Sequence, residues 1–237
     1  MHPNARTLLA QRLRDVQQRI EAACQRAGRT TQEVTLVAVT KTVDAEIARI
    51  LPELGIIDLG ESRPQELWKK ATLLPNSVRW HLVGHLQRNK IEPTLPLVKL
   101  IHSVDSVRLL ETLEQECTKR KLHTRVLLEV NASREEAKQG FQPEDVPALA
   151  QSFSEYQHLE IAGLMTMAAL SDKAEDARRT FGELRRLRSQ LRQLLGRPNA
   201  LPELSMGMTN DFEVAIEEGA TLVRIGSALF EGLSEAA

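Results

Sequence analysis

A lysine that ends an apolar run is the first residue in this chain able to do chemistry. The run VTLVAVTK, residues 34–41, is rich in β-branched side chains and too short for a typical helix, so it predicts a buried strand. Alternation then places Thr35, Val37, Val39 and Lys41 on one face. Parallel α/β proteins keep their chemistry at the C-terminal ends of strands, which is where Lys41 falls. An amine there forms a Schiff base with an aldehyde if it is neutral, and partial desolvation at a strand end favours the neutral form. Taken alone, Lys41 reads more simply as a side chain that snorkels out to water.

Two stretches near the C-terminus change that balance. LSMGM, 204–208, and VRIGS, 223–227, each place a small residue and a glycine just after a predicted strand. In barrels the loops after strands seven and eight commonly cradle a phosphate, because glycines let backbone N–H groups approach it. Ser205, Gly207, Gly226 and Ser227 are the natural donors, by backbone or hydroxyl. Either glycine by itself is an ordinary turn residue; two at these strands favour a phosphate site. Arg224 shares a face with Leu222 and Gly226, so it points inward, either toward that phosphate loop or into an ion pair with a barrel carboxylate.

The stretch WHLVGHLQRNK, 80–90, carries two histidines four residues apart. No glutamate follows the first as in HExxH and no third ligand stands at a recognised spacing, so no metal site is expected. His81 reads as a strand residue hydrogen-bonded within the fold, and 84–90 as a mouth loop. Asn131 and Met165 fall near the ends of two further strands and are either mouth residues or core.

The elements that must position these groups alternate regularly. Leu9, Leu13, Val16, Ile20, Ala23 and Ala27 form one stripe of a helix over 1–28, closed by Gly28. Strands are expected at 34–41, 56–59, 78–83, 99–104, 124–130, 159–164, 203–205 and 221–225, with helices between them, among them 143–153, 174–195 and 211–218. Eight such units with short connections predict a (β/α)8 TIM-type barrel with an N-terminal helix; a doubly wound open sheet is the alternative. No repeat or linker divides the chain, so 1–237 is expected to be one domain, with 1–28 packing on the barrel.

Composition narrows the functions available. The 31 basic and 32 acidic residues nearly balance, leaving no net field for nucleic acid or an anionic membrane. The helix expected over 174–195 carries six arginines between Arg178 and Arg192 but also Glu175, Asp176 and Glu183, without aromatics interleaved among the arginines as a nucleic-acid face would have, and reads as a solvated helix face. The two cysteines, Cys24 and Cys117, stand apart with no secretory segment ahead of them, so a cytoplasmic protein is expected.

The combination VAVTK, LGESRPQE, WHLVGHLQRNK, HSVDS, GLMTMA and LSMGMTNDFEVAIEEGATLVRIGSALF closely resembles the YggS/PROSC family of pyridoxal 5′-phosphate-binding proteins, over nearly the whole chain. The resemblance implies a barrel like the N-terminal domain of alanine racemase, holding pyridoxal phosphate as a Schiff base on Lys41. It also implies phosphate contacts from Ser205, Gly226 and Ser227, with Arg224 facing the pyridine nitrogen. An arginine there would donate to the ring nitrogen and never protonate it. Ser62 stands where the family pattern has Asn, and Asn210 and Glu231 also depart from it.

Related racemases and decarboxylases add a C-terminal domain that supplies a second acid/base, and this chain ends soon after strand eight. The expected function is therefore intracellular vitamin B6 homeostasis without turnover, as a monomer whose expected partners are the cofactor and apo pyridoxal enzymes. A weak amino-acid racemase and an aldolase-type Schiff-base enzyme are the alternatives.

Overall fold

In the computed structural model, which describes residues 4–135 and 138–233, the β-branched runs become strands and the 3.6-period stretches helices. The first three residues of the expected N-terminal helix lie outside that range. Helix α1 (Ala5–Arg26) precedes β1 (Thr35–Val39), α2 (Ala45–Glu53), β2 (Asp58–Glu61), α3 (Pro64–Ala71) and β3 (Arg79–Leu82). Then come α4 (Ile91–Thr94), β4 (Val98–Val104), α5 (Val107–Arg120), β5 (Thr124–Glu129) and α6 (Val146–Ala150). The last third holds β6 (Leu159–Met165), α7 (Arg178–Leu194), β7 (Glu203–Ser205), α8 (Phe212–Glu217), β8 (Leu222–Ile225) and α9 (Ser227–Phe230).

The strands pair in chain order, all parallel, and β8 returns to pair with β1, so the sheet is a closed barrel and not an open one. Side-chain alternation divides the core in two. Val37, Leu100, Leu127, Ala162, Met165 and Leu222 pack together inside the barrel, and a larger set fills the layer between strands and helices. Each fully buried Leu, Val or Phe in these layers contributes roughly 1.5–3 kcal/mol.

The stripe Leu9, Leu13, Val16, Ile20 and Ala23 of α1 is buried, and the helix packs against α8 and α9. Arg19 lies 4.5 Å over the Phe212 ring and pairs with Glu213, while Arg26 reaches Glu213 and Glu217. Gly28, at φ +65°, turns the chain out of α1. On α7 the arginines are met by acids, as with Arg178 against Glu175, Glu217 and Glu218. No described helix is long and apolar enough to cross a membrane.

Several boundaries differ from the periodicity. The expected helix over 143–153 is only α6 plus a 3-10 turn at Phe153–Glu155, and 174–177 is also 3-10. Leu194, the end of the expected α7 stripe, is 50% exposed because the helix ends there. The difference that matters is at β1, which stops at Val39, two residues before Lys41.

Candidate functional site

The cause of that early stop is Thr40. Its N–H still donates to Gly60 O at 2.9 Å, but its hydroxyl donates to Glu61 Oε1 at 2.6 Å and its carbonyl accepts from Lys70 Nζ at 2.7 Å. Lys70 and Glu61 are themselves paired at 2.5 Å, with side chains 3% and 1% exposed. The backbone group that would have continued the ladder is taken by a helix side chain, so the chain turns outward at Lys41. The desolvation expected of a strand-end lysine is accordingly absent, and Lys41 is exposed.

Strand β8 brings the second part of the site to the same place. Val37 pairs with Arg224 and Ala38 with Ile225, and a Cβ on Gly226 would stand 3.3 Å from Val39 O. The turn of Gly226 and Ser227 therefore lies against the end of β1, next to the turn that carries Lys41. Thr209 Oγ1 accepts the Ala228 N–H at 3.3 Å and ties the loop after β7 to this turn. Gly207, at φ +91°, would place a Cβ 2.5 Å from that of Ala215, so only glycine fits; its carbonyl accepts the Arg224 N–H at 3.0 Å.

Arg224 points into the barrel, as its alternation predicts, and is 5% exposed. Nη1 donates to Ser205 Oγ at 2.5 Å and Nη2 to Thr166 O at 3.0 Å. Both acceptors are neutral, and no ion pair to Arg224 forms among the described residues, so the carboxylate pairing left open by the sequence is not the arrangement found. Burial pushes the guanidinium down to about 10, against the pull of Asp211 and Glu129, so it stays charged at neutral pH.

Beneath Arg224 a row of polar side chains crosses the lumen. Ser205 Oγ lies 2.8 Å from His102 Nδ1, His102 Nε2 lies 2.8 Å from His81 Nδ1, and His81 Nε2 lies 3.0 Å from Asp58 Oδ1. Asp58 also pairs with Arg79. Burial holds His102 well below the usual histidine range. Burial raises the Asp58 carboxyl, but hydrogen bonds from His81 and Arg79 outweigh it and hold the group below its ordinary value.

Of the residues singled out from sequence, Lys41, Gly207, Arg224, Gly226 and Ser227 converge on the ends of β1, β7 and β8. Ser205 joins them from below, with its hydroxyl committed to Arg224 and His102. His81 is hydrogen-bonded within the barrel, deeper than the mouth. Met165 belongs to the inner apolar layer, and Asn131 braces the loop after β5 by donating to Glu135 O at 2.8 Å. Ser62 packs its backbone so closely that a Cβ on Gly84 would lie 2.3 Å from its carbonyl oxygen. Asn210 and Glu231 are exposed.

His102, Thr166, Glu61, Lys70 and Glu129 escaped the sequence reading. Glu129 ends β5 inside the mouth, where burial and then Asp105 raise its carboxyl above the ordinary range, against Arg224 and His85. The motifs HSVDS, GLMTMA and LGES held three of these residues, but nothing in the spacing of Lys70 sets it apart from neighbouring Lys69.

The barrel and its mouth define a member of the class described as "Alanine racemase, N-terminal domain", a family that matches residues 12–234. Proteins named pyridoxal phosphate homeostasis protein align over nearly full length. One from Aquifex aeolicus is 42% identical over 93% of this chain and 96% of its own, and one from Bos taurus 35% identical over 92% and 85%. The chain belongs to the family of pyridoxal phosphate homeostasis proteins.

Solved structures agree. An unknown protein from Bifidobacterium adolescentis superposes with a TM-score of 0.90 at 37% identity, covering 97% of both chains. PipY of Synechococcus elongatus, solved with PLP bound, gives 0.80 at 32% identity over 94% of this chain and 99% of its own. Alanine racemase from Corynebacterium glutamicum, at 16% identity and a TM-score of 0.68, shares the fold; this chain spans 60% of its length. The racemase alternative is not favoured by relatives that carry a homeostasis name at 32–42% identity.

Proposed function

We propose that this protein holds pyridoxal 5′-phosphate on Lys41 at the mouth of the barrel and serves the intracellular balance of that cofactor, without turnover of its own. The observation that carries the reading is the buried Arg224 guanidinium, fastened below by two neutral acceptors and set on the strand beside Lys41. A buried cation with donors to spare fits a ligand that brings an acceptor and negative charge.

When bound, the cofactor supplies an aldehyde that condenses with amines and a ring that draws electrons from them. Arg224 meets the ring nitrogen as a donor, so the ring stays unprotonated and a weak electron sink. Backbone N–H groups of Gly226 and Ser227, with the Gly207 loop tied close by, hold the phosphate. Glu61 and Lys70 keep the peptide before Lys41 in place. Asn131, Met165 and His81 support the mouth from the loop after β5, the inner layer and the lumen.

The exposure of Lys41 supports exchange of the cofactor with other amines, and hence release to apo enzymes. Buried free Cys24 and Cys117 suit a reducing compartment, the cytoplasm. The chain works as one barrel unit with α1 fastened to it. The deciding measurement is the near-visible spectrum of the purified protein before and after borohydride, with the reduced peptide identified by mass. A label on Lys41 is expected, and a label on any other lysine refutes the site.

A further inference from the structure

The polar row through the lumen has two ends of fixed character. Arg224 has no acceptor and can only donate to Ser205 Oγ. Asp58, held ionised between His81 and Arg79, can only accept from His81 Nε2. If His81 carries a single proton, on the Nε2 whose partner is Asp58, its Nδ1 is an acceptor. His102 Nε2 must then donate across the 2.8 Å gap, which leaves His102 Nδ1 as an acceptor facing Ser205. Ser205 has one proton and gives it to that nitrogen, so its oxygen is free to receive Arg224. The direction is set from the Asp58 end; at the other end the serine oxygen, with two lone pairs, accepts from Arg224 whichever way its own proton points.

We infer that Ser205, His102 and His81 form a one-directional chain of hydrogen bonds from Arg224 to Asp58, and that this chain positions Arg224 so that the mouth selects ligands with an unprotonated ring nitrogen. A hydroxyl that donates strongly is a better acceptor, because linked hydrogen bonds polarise one another. Ser205 therefore grips Nη1 more firmly than an isolated serine would, while Thr166 O grips Nη2. Two acceptors beneath a planar guanidinium fix its plane, and the donors left over face the mouth in one orientation. His102 is wholly buried and His81 is 3% exposed, so water does not compete for these bonds. The three residues are positioning residues; none of them meets the ligand through its own side chain in this scheme.

The selective half of this inference rests on the assignment of Arg224 to the ring nitrogen, and the test separates the two. Nitrogen-15 spectra of the histidine side chains in wild-type protein without cofactor read the tautomers directly. The chain requires His102 and His81 with Nε2 protonated and Nδ1 bare, and a protonated Nδ1 on His102 would overturn it. Binding is then compared for pyridoxal phosphate and for the analogue with carbon in place of the ring nitrogen.

Wild-type protein is expected to prefer the ring nitrogen by about tenfold or more, the usual worth of a hydrogen bond from a charged donor. In Ser205→Ala and His102→Gln that preference falls to within about threefold, whatever happens to overall affinity. Retention of the full preference in both folded variants rejects the chain as a positioning device. A wild-type protein that takes both compounds equally rejects the assignment of Arg224 and with it the selective role, while the tautomers still uphold or reject the chain.

Discussion

Lys70 Nζ, on helix α3, lies 2.7 Å from the carbonyl oxygen of Thr40, the residue that precedes Lys41. A buried ammonium is thus spent on a single peptide group, and its counter-charge, Glu61, binds the same residue through the hydroxyl. Glu61 Oε2 is buried with no partner among the described residues, so the pair is not arranged for stability alone.

Breaking and replacing this pair should give opposite results. Lys70→Met leaves Glu61 as an uncompensated buried charge and should destabilise the fold by about 3–5 kcal/mol. The double variant Glu61→Leu, Lys70→Met should melt near the wild type in urea but bind pyridoxal phosphate more weakly, since Thr40 loses both tethers. Wild-type affinity in the double variant, measured by absorbance titration, would remove the bracing role.

Lys41 sits in an exposed turn, so its loss should be a loss of chemistry and not of structure. Lys41→Ala is expected to abolish near-visible absorbance and borohydride labelling while changing stability by less than about 0.5 kcal/mol. Urea melts alongside the spectra separate the two effects.

Two glycines that share a positive φ should respond differently. Gly207 and Gly28 both have positive φ, but a Cβ at Gly207 meets Ala215 and Phe212 whereas one at Gly28 meets nothing within 4 Å. Gly28→Ala should therefore cost about 1 kcal/mol for the backbone alone. Gly207→Ala adds overpacking and should cost at least about 2 kcal/mol more than that, with loss of phosphate binding. Equal shifts in Tm would show that the loop after β7 can move aside.

His102 gives the fold a pH dependence of defined sign. Its folded-state value lies well below that of a free histidine, chiefly because burial opposes its charge. On acidification below about 6.5 the unfolded chain takes up a proton that the native chain refuses, so stability falls as pH falls. His102→Gln should flatten the stability slope between neutral pH and about pH 5. Parallel slopes for wild type and variant would show that other groups control that range.

The barrel was legible in the sequence because its signals are local. β-Branched runs, the helix stripes and the glycines at 207 and 226 each follow from a few neighbouring residues. Alternation even gave the inward face of Arg224. What escaped depends on contacts between elements. Thr40 reads as one more strand residue until Lys70 is brought to it from thirty positions away, and only then does the strand end before Lys41. His102 and Ser205 are 103 residues apart, so no spacing could reveal that the serine hydroxyl turns down to a histidine.

The seam between β1 and β8 has one more consequence. Lys41 follows the first strand and the Gly226–Ser227 turn follows the last, and they become neighbours only when the cylinder shuts. A chain still emerging from the ribosome, or one whose final strand has detached, carries both halves and can join neither to the other. With the cofactor held as proposed, occupancy of the mouth would report that folding is complete, and ligand added during refolding should favour the closed topology over every partly zipped intermediate.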